Sequence, residues 1–387
     1  MPPRFRVGTG RADKSKVGHI PPTPLPLVDF ASLTRYEQLG GRGCATLVRL
    51  STGEYYVFKG IDFRTALQYS DSGGNRLIRD EIRVWRQEHN TLQQLPPHKN
   101  ILPPPLMLAT IQSPDRSLLP VVCGALFPYH PAGSAASRIL ESNKKGLRIS
   151  LRVKAHWCAD MAAAVFHTHR TAKTYHKDIK PGNFIVDEDD NLMLCDWEQY
   201  DASPKTLAPE ADGTWEVTED PPAPQDTRPR LKYTKYDGPP RRNADDILEE
   251  TPWHVWDVFP SWKADHPWAL ELAEVFSLGR SMWMLLRQPQ DDYAEIQHPR
   301  DMSTDWDGCE DLPVHWMQMV DRCMSQDPNE RPDLSELVDF WDTQDEWRVW
   351  TFVSDHGLME DIDIEGRRSN DGTLSSLSGN STVSDSD

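Results

Sequence analysis

The sequence predicts an α+β fold in two lobes, a smaller one built mainly of strands and a larger one built mainly of helices. Three observations predict it. The chain has 387 residues, which at roughly 150 residues per domain allows two to three units or one large two-lobed domain. Residues 36–60 (YEQLGGRGCATLVRLSTGEYYVFKG) break short β-branched and aromatic runs with glycines and with Ser51-Thr52-Gly53, the pattern of hairpin-linked strands. From about residue 147 onward, apolar residues instead recur at spacings of three and four, the period of helices. Strands first and helices later segregate the two classes along the chain.

Residues 1–34 read as a disordered tail, basic near its start, where Arg4, Arg6, Arg11, Lys14 and Lys16 face only Asp13. The first lobe spans 35–126. It holds the strands of 36–60, a helix over about 75–95 with Leu77, Ile78, Ile82, Trp85, Leu92 and Leu95 at helical spacing, and a strand at 120–127. The second lobe spans 127–353, with helices expected at 147–170, 270–286 and 312–324. Within it, 211–268 reads as an insertion. Its first part, with Pro221, Pro222, Pro224, Pro229, Pro239 and Pro240 among charged residues, is expected to be mobile. Its second part, with Trp253, Trp256, Trp262 and Trp268, carries too much apolar surface for a free linker and is expected to dock on the body. Residues 354–387 are rich in Ser, Asp and Gly, a composition that buries too little apolar surface to order itself.

Lys and Arg total 42 against 60 Asp and Glu, a net charge of −18. This excess argues against general affinity for nucleic-acid phosphates or anionic lipid, while leaving room for one local phosphate site. A hydrophobic content of 38% and 32 prolines fit irregular segments beside a folded part. No apolar run approaches the roughly 18 residues that span a bilayer, and MPPRFRVGTG lacks the apolar stretch of a secretory signal. The expectation is a cytoplasmic or nuclear protein with no membrane and no nucleic-acid partner. Cys44, Cys123, Cys158, Cys195, Cys309 and Cys323 are scattered without CxxC spacing, so reduced thiols are expected.

The densest chemistry lies at His176-Lys177-Asp178-Ile179-Lys180-Pro181-Gly182-Asn183, followed thirteen positions after Asn183 by Asp196-Trp197-Glu198. Phosphoryl transfer needs a carboxylate near the attacking hydroxyl, oxygen ligands for magnesium and a cation on the moving phosphate. This segment holds each of those residue types. It resembles the catalytic loop of protein kinases and the metal-binding aspartate that follows it. The resemblance implies a bilobal protein-kinase-like fold with ATP as donor. Asp178 would accept the proton of the substrate hydroxyl, Lys180 would steady the γ-phosphate, and Asn183 with Asp196 would hold Mg2+.

Further matches follow in the family's order. Gly41-Arg42-Gly43-Cys44-Ala45-Thr46-Leu47-Val48 is similar to the glycine-rich loop, which implies Gly41, Gly43 and Val48 at the nucleotide, with Thr46 standing for the third glycine. Lys59 is placed like the strand lysine that contacts the α and β phosphates. Glu88, followed by Leu92, Leu95, His98, Asn100 and Ile101, resembles the helix glutamate that pairs with it, and Glu81 is the fallback. Phe127 matches the gatekeeper, and Pro128 to Ser134 the hinge. Ala208-Pro209-Glu210 matches the motif that closes the activation segment, and Ser203 stands where serine/threonine kinases keep a threonine. Glu274 to Gly279 resembles the start of the central helix, with Glu274 in place of the usual aspartate, and Asp327 to Pro332 resembles the arginine motif. The family's buried ion pair would be Glu210 with Arg331. The resemblance spans about 36–340. With TKYDGPPRRN at 234–243, the pattern is similar to divergent protein-kinase-like proteins of filamentous fungi.

Two departures matter. Lys177 replaces the arginine before the catalytic aspartate, and lysine lacks the bidentate grip of guanidinium on phosphate. Together with the shortness of the 196–210 segment, this implies activity without phosphorylation there. Glu198 replaces a glycine, an ending also found in the related kinases of choline and aminoglycosides, so a small-molecule kinase is one alternative and a catalytically inactive scaffold another. Ser203, Glu210 and the Arg331 motif weigh against the first, and the presence of Lys59, Asp178, Asn183 and Asp196 against the second. The leading expectation is an ATP- and Mg2+-dependent protein kinase of serine/threonine type acting on a protein substrate. The insertion at 211–268 is the candidate contact for a regulatory partner.

Overall fold

The computed structural model describes residues 25–39, 45–60, 74–112, 119–200, 202–222, 228–238, 257–290 and 301–355, without the side chains of 74–78, 80 and 346–355. Among the described residues, short runs, several of them β-branched or aromatic, form six strands: β1 (Leu27–Asp29), β2 (Thr34–Gln38), β3 (Ala45–Arg49), β4 (Tyr55–Gly60), β5 (Met107–Ile111) and β6 (Val121–Pro128). They make one sheet in the order β1-β5-β6-β4-β3-β2, antiparallel except for β1 beside β5. Gly53 closes the β3–β4 turn at φ 100°, a backbone region that residues with a Cβ rarely adopt. Between β4 and β5 the chain forms α1 (Gly74–Gln94), the helix that the apolar spacing over 75–95 predicts.

The tail expectation for 1–34 needs correction at its C-terminal end. Leu27 pairs with Leu108 in β5, the Phe30 ring lies 5.1 Å from that of Phe58, and Leu33 is buried with Val48, Ala109 and Leu126 under the sheet. Three residues directly after a proline-rich run give little strand signal, and the long-range partner supplies the order. Residues 1–24 and 356–387, the remainder of both expected tails, lie outside the described residues.

The C-terminal part is helical: α2 (Ala135–Lys144), α3 (Leu151–Phe166), α4 (Phe259–Asp265), α5 (Pro267–Arg287), α6 (Val314–Cys323) and α7 (Leu334–Asp355). Two hairpins accompany them, β7 (Phe184–Val186) with β8 (Leu192–Leu194), and β9 (Trp215–Asp220) with β10 (Arg230–Lys235). Ser134 and Ser150 cap α2 and α3 by accepting backbone N–H groups of their first turns. Helix α5 is apolar nearly all round and buried along almost its whole length, as befits a helix at the centre of a core. Gly279 permits this packing, since a Cβ there would lie 2.5 Å from the Cys323 Cβ of α6. The fold is thus mixed α+β, sheet-rich toward the N-terminus and helical toward the C-terminus.

The first part of the insertion also differs from expectation. It carries the β9–β10 hairpin, in which Val217 and Leu231 are buried. The Asn329 side chain clamps the hairpin by accepting from Leu231 N at 2.8 Å and donating to Leu231 O at 3.0 Å. In the second part, Trp262 is buried against Tyr233 and Trp268 packs on the main core, as the docking expectation requires. Trp253 and Trp256 lie outside the described residues. Among the described residues no helix is long and apolar enough to cross a membrane, and Cys123, Cys158, Cys195, Cys309 and Cys323 are free.

Lys154 on α3 is fully buried, its ammonium donating to Leu286 O at the end of α5 at 2.8 Å. Burial, reinforced by nearby Arg148, lowers its pKa from 10.5 to about 8. Between these two values the unfolded lysine holds a proton that the folded one has lost, so this group's contribution to stability rises with pH. Relative to Lys154→Met, the wild-type unfolding free energy should therefore rise by about 3 kcal/mol over this window. Urea unfolding of both proteins from pH 7.5 to 10.5 checks it, and a pH-independent difference would contradict it.

Candidate active site

Lys59 is the penultimate residue of β4, and its ammonium meets three carboxylates: Glu88 of α1 at 2.7 Å, Glu198 at 3.1 Å, and Asp196 in the closest contact. Burial pulls this ammonium's pKa down, but Asp196, Glu88 and Glu198 outweigh burial and hold it well above the ordinary lysine range. Burial pushes the Glu88 carboxyl up to about 7; Lys59 opposes that rise, and the charges of Asp196 and Glu198 add to it. Three acids share one cation. Of the two candidate glutamates on α1, Glu88 is the one brought to Lys59.

Asp196 follows β8 with φ 68°, a left-handed turn. Trp197 behind it is fully buried, its indole N–H donating to Leu194 O at 3.2 Å and its ring lying 4.8 Å from that of His176. His176 Nε2 in turn bonds Cys195 O at 2.8 Å, which fixes the 176–183 loop beside the Asp196 turn. From below, Glu274 of α5 holds the same loop: it accepts from His176 N at 2.8 Å and Lys177 N at 2.5 Å, and bonds His169 Nε2 at 2.6 Å. Glu274 is fully buried and all its contacts here are hydrogen-bonded, so the loop's backbone is anchored to the core helix.

On that anchored loop Asp178 is the focus. Lys180 Nζ donates to its Oδ2 at 2.5 Å, Asn183 Nδ2 to the same oxygen at 3.0 Å, and the Ser203 backbone N–H to Oδ1 at 2.9 Å. Ser203 therefore reaches Asp178 through its backbone, while its hydroxyl accepts from Lys205 N at 3.3 Å. Further along, Glu210 and Arg331 form a buried bidentate pair at 2.5 and 3.0 Å, with the guanidinium also donating to Leu272 O and Ser325 O. This pair fastens the end of the 196–210 segment to α5.

The structure thus brings together Lys59, Glu88, Asp178, Lys180, Asn183, Asp196 and Ser203. Gly41 and Gly43 lie outside the described residues. Val48 is not part of this cluster, contrary to the nucleotide-binding role expected for it. It pairs with Tyr56, and Ala45 pairs with Lys59, so the two-residue period of β3 and β4 puts Val48 on the face opposite Lys59. There it is fully buried beside Leu126 and Phe58; Leu47, opposite Val57, shares the Lys59 face. Counting from the glycines misses this strand parity. Two contributions are invisible in the motif: Glu198 as a third partner of Lys59, and Glu274 as the loop anchor. The second had a signal, since Glu274, like Glu271, is a carboxylate inside a largely apolar helical run. No protein-family model matches this chain, and no curated protein matches it.

Proposed function

We propose that this chain is an ATP- and Mg2+-dependent protein kinase of bilobal kinase-like fold, transferring the γ-phosphate to a serine or threonine hydroxyl of a protein substrate. One observation carries the reading: Lys59, from the sheet, meets Glu88 and Asp196 next to a loop on which Asp178, Lys180 and Asn183 are already hydrogen-bonded together. Asp178 takes the proton of the acceptor hydroxyl as that oxygen attacks, and Lys180 steadies the charge on the moving phosphoryl group. Lys59 grips the α and β phosphates. Asn183 directs its NH2 to Asp178, so its amide oxygen, with the Asp196 carboxylate, offers the all-oxygen set that a hard cation takes. Magnesium held there would neutralise charge on the β and γ phosphates.

A second reading, transfer to a small amino alcohol, is favoured by Glu198, which places an extra carboxylate on Lys59. The seating of the Ser203 backbone on Asp178 and the Glu210–Arg331 pair support the protein-directed reading. Nucleotide binding is tested by melting curves. Saturating ATP with Mg2+ should stabilise the wild type by about 2–3 kcal/mol at a hundredfold excess over Kd. The shift should vanish in Lys59→Ala. A wild-type melting curve unmoved by nucleotide would refute the reading.

A further inference from the structure

Lys177, next to Asp178, has a left-handed φ of 77° and a nearly buried side chain. Its ammonium meets two oxygens from two other segments, the backbone carbonyl of Tyr200 at 2.6 Å and Asp257 Oδ2 at 2.9 Å. The Phe259 ring lies 6.0 Å from it. Asp257 is itself fixed, because its other oxygen accepts the Phe259 N–H at 3.1 Å at the start of α4. Helix α4 is in turn seated by Phe259 and Trp262, both buried, with the Phe259 ring 5.4 Å from that of Tyr175. Tyr200 lies between Glu198, which touches Lys59, and Ser203, whose N–H touches Asp178. The insertion therefore supplies a carboxylate that, through one lysine, ties the catalytic loop to the chain that follows Asp196.

We propose that Asp257 is a positioning residue for phosphoryl transfer, holding Lys177 on the Tyr200 carbonyl so that Glu198 and Ser203 stay at Lys59 and Asp178 without a phosphorylated residue. The proposal rests on the kinase reading for its catalytic consequence and on the geometry alone for its mechanical one. The chemistry suits it. An ammonium is a compact point charge with three donors, matched here by one carboxylate and one carbonyl, whereas a phosphate brings about two charges and favours a guanidinium fork. A resident carboxylate is also permanent, so the tie is not switched by a modifying enzyme.

The test uses the full chain with Asp257→Asn, which keeps an acceptor for the Phe259 N–H and removes only the charge. Two readouts are taken: hydrogen exchange of the amides in 197–207 without nucleotide, and phosphate transfer to a generic protein acceptor. Exchange in that segment should accelerate about tenfold or more. The kcat should fall by a similar factor while KM for ATP holds, and the substitution should add nothing further in a Lys177→Met background. Phosphatase treatment should leave wild-type kcat unchanged. Exchange unaltered in Asp257→Asn overturns the proposal whatever the activity, as does a retained kcat, or a phosphatase-sensitive kcat whose phosphate maps to 196–210. Accelerated exchange in a protein whose wild type transfers no phosphate upholds the tie and defeats the kinase reading instead.

Discussion

Replacing Glu210 by glutamine lowers the unfolding free energy of this chain by about 3–5 kcal/mol, the cost of stranding a buried charge. The substitution keeps shape and removes only the partner of Arg331, whose side chain is 0% exposed. Arg331 cannot withdraw to water, because its guanidinium also donates to Leu272 O and Ser325 O and lies 4.9 Å from the Phe276 ring. A surface pair would cost only about 0–1 kcal/mol. Urea unfolding of Glu210→Gln, Arg331→Met and the double mutant separates the cases. The two single losses should be strongly non-additive, the double mutant being less damaged than their sum. A Glu210→Gln protein as stable as wild type would refute the buried-pair account.

On the proposed kinase reading, Asp178→Asn should lower kcat for phosphate transfer about a thousandfold or more, ~4 kcal/mol of barrier, with the melting temperature close to that of wild type. The amide keeps an oxygen for the Ser203 N–H but loses the charge that the Lys180 ammonium meets and that would receive the hydroxyl proton. Asp196→Asn should be comparably inactive, since it strips a charge from the oxygen set and from Lys59. Folding is checked by melting curves, as loss of activity through unfolding says nothing about chemistry. Retained turnover in Asp196→Asn would contradict its proposed role.

How much of this was legible in the sequence follows from how local each signal is. Asp178, Lys180 and Asn183 are within six residues of one another and Asp196 is close behind, so their clustering could be read directly. The helices emerged because their period repeats over several turns. Lys59 and Glu88 needed order and spacing as well, and contact at 2.7 Å distinguishes Glu88 from Glu81. Features that depend on distant partners were not legible. Leu27–Asp29 becomes a strand only beside β5, and the β9–β10 hairpin, proline-flanked and charged, is held by Asn329 about a hundred residues away. Val48 was misassigned because strand parity depends on register with β4 rather than on distance from the glycines. Asp257 meets Lys177 across 80 positions of chain, with nothing in its own neighbourhood to mark it.

The central claim is tested most directly by transfer of radiolabelled γ-phosphate from ATP with Mg2+, comparing wild type and Asp178→Asn on a generic protein and on amino-alcohol acceptors. The account predicts label on protein serine or threonine with the wild type and its loss in Asp178→Asn. Label confined to the amino alcohol, or no transfer by a wild type that binds nucleotide, would contradict it.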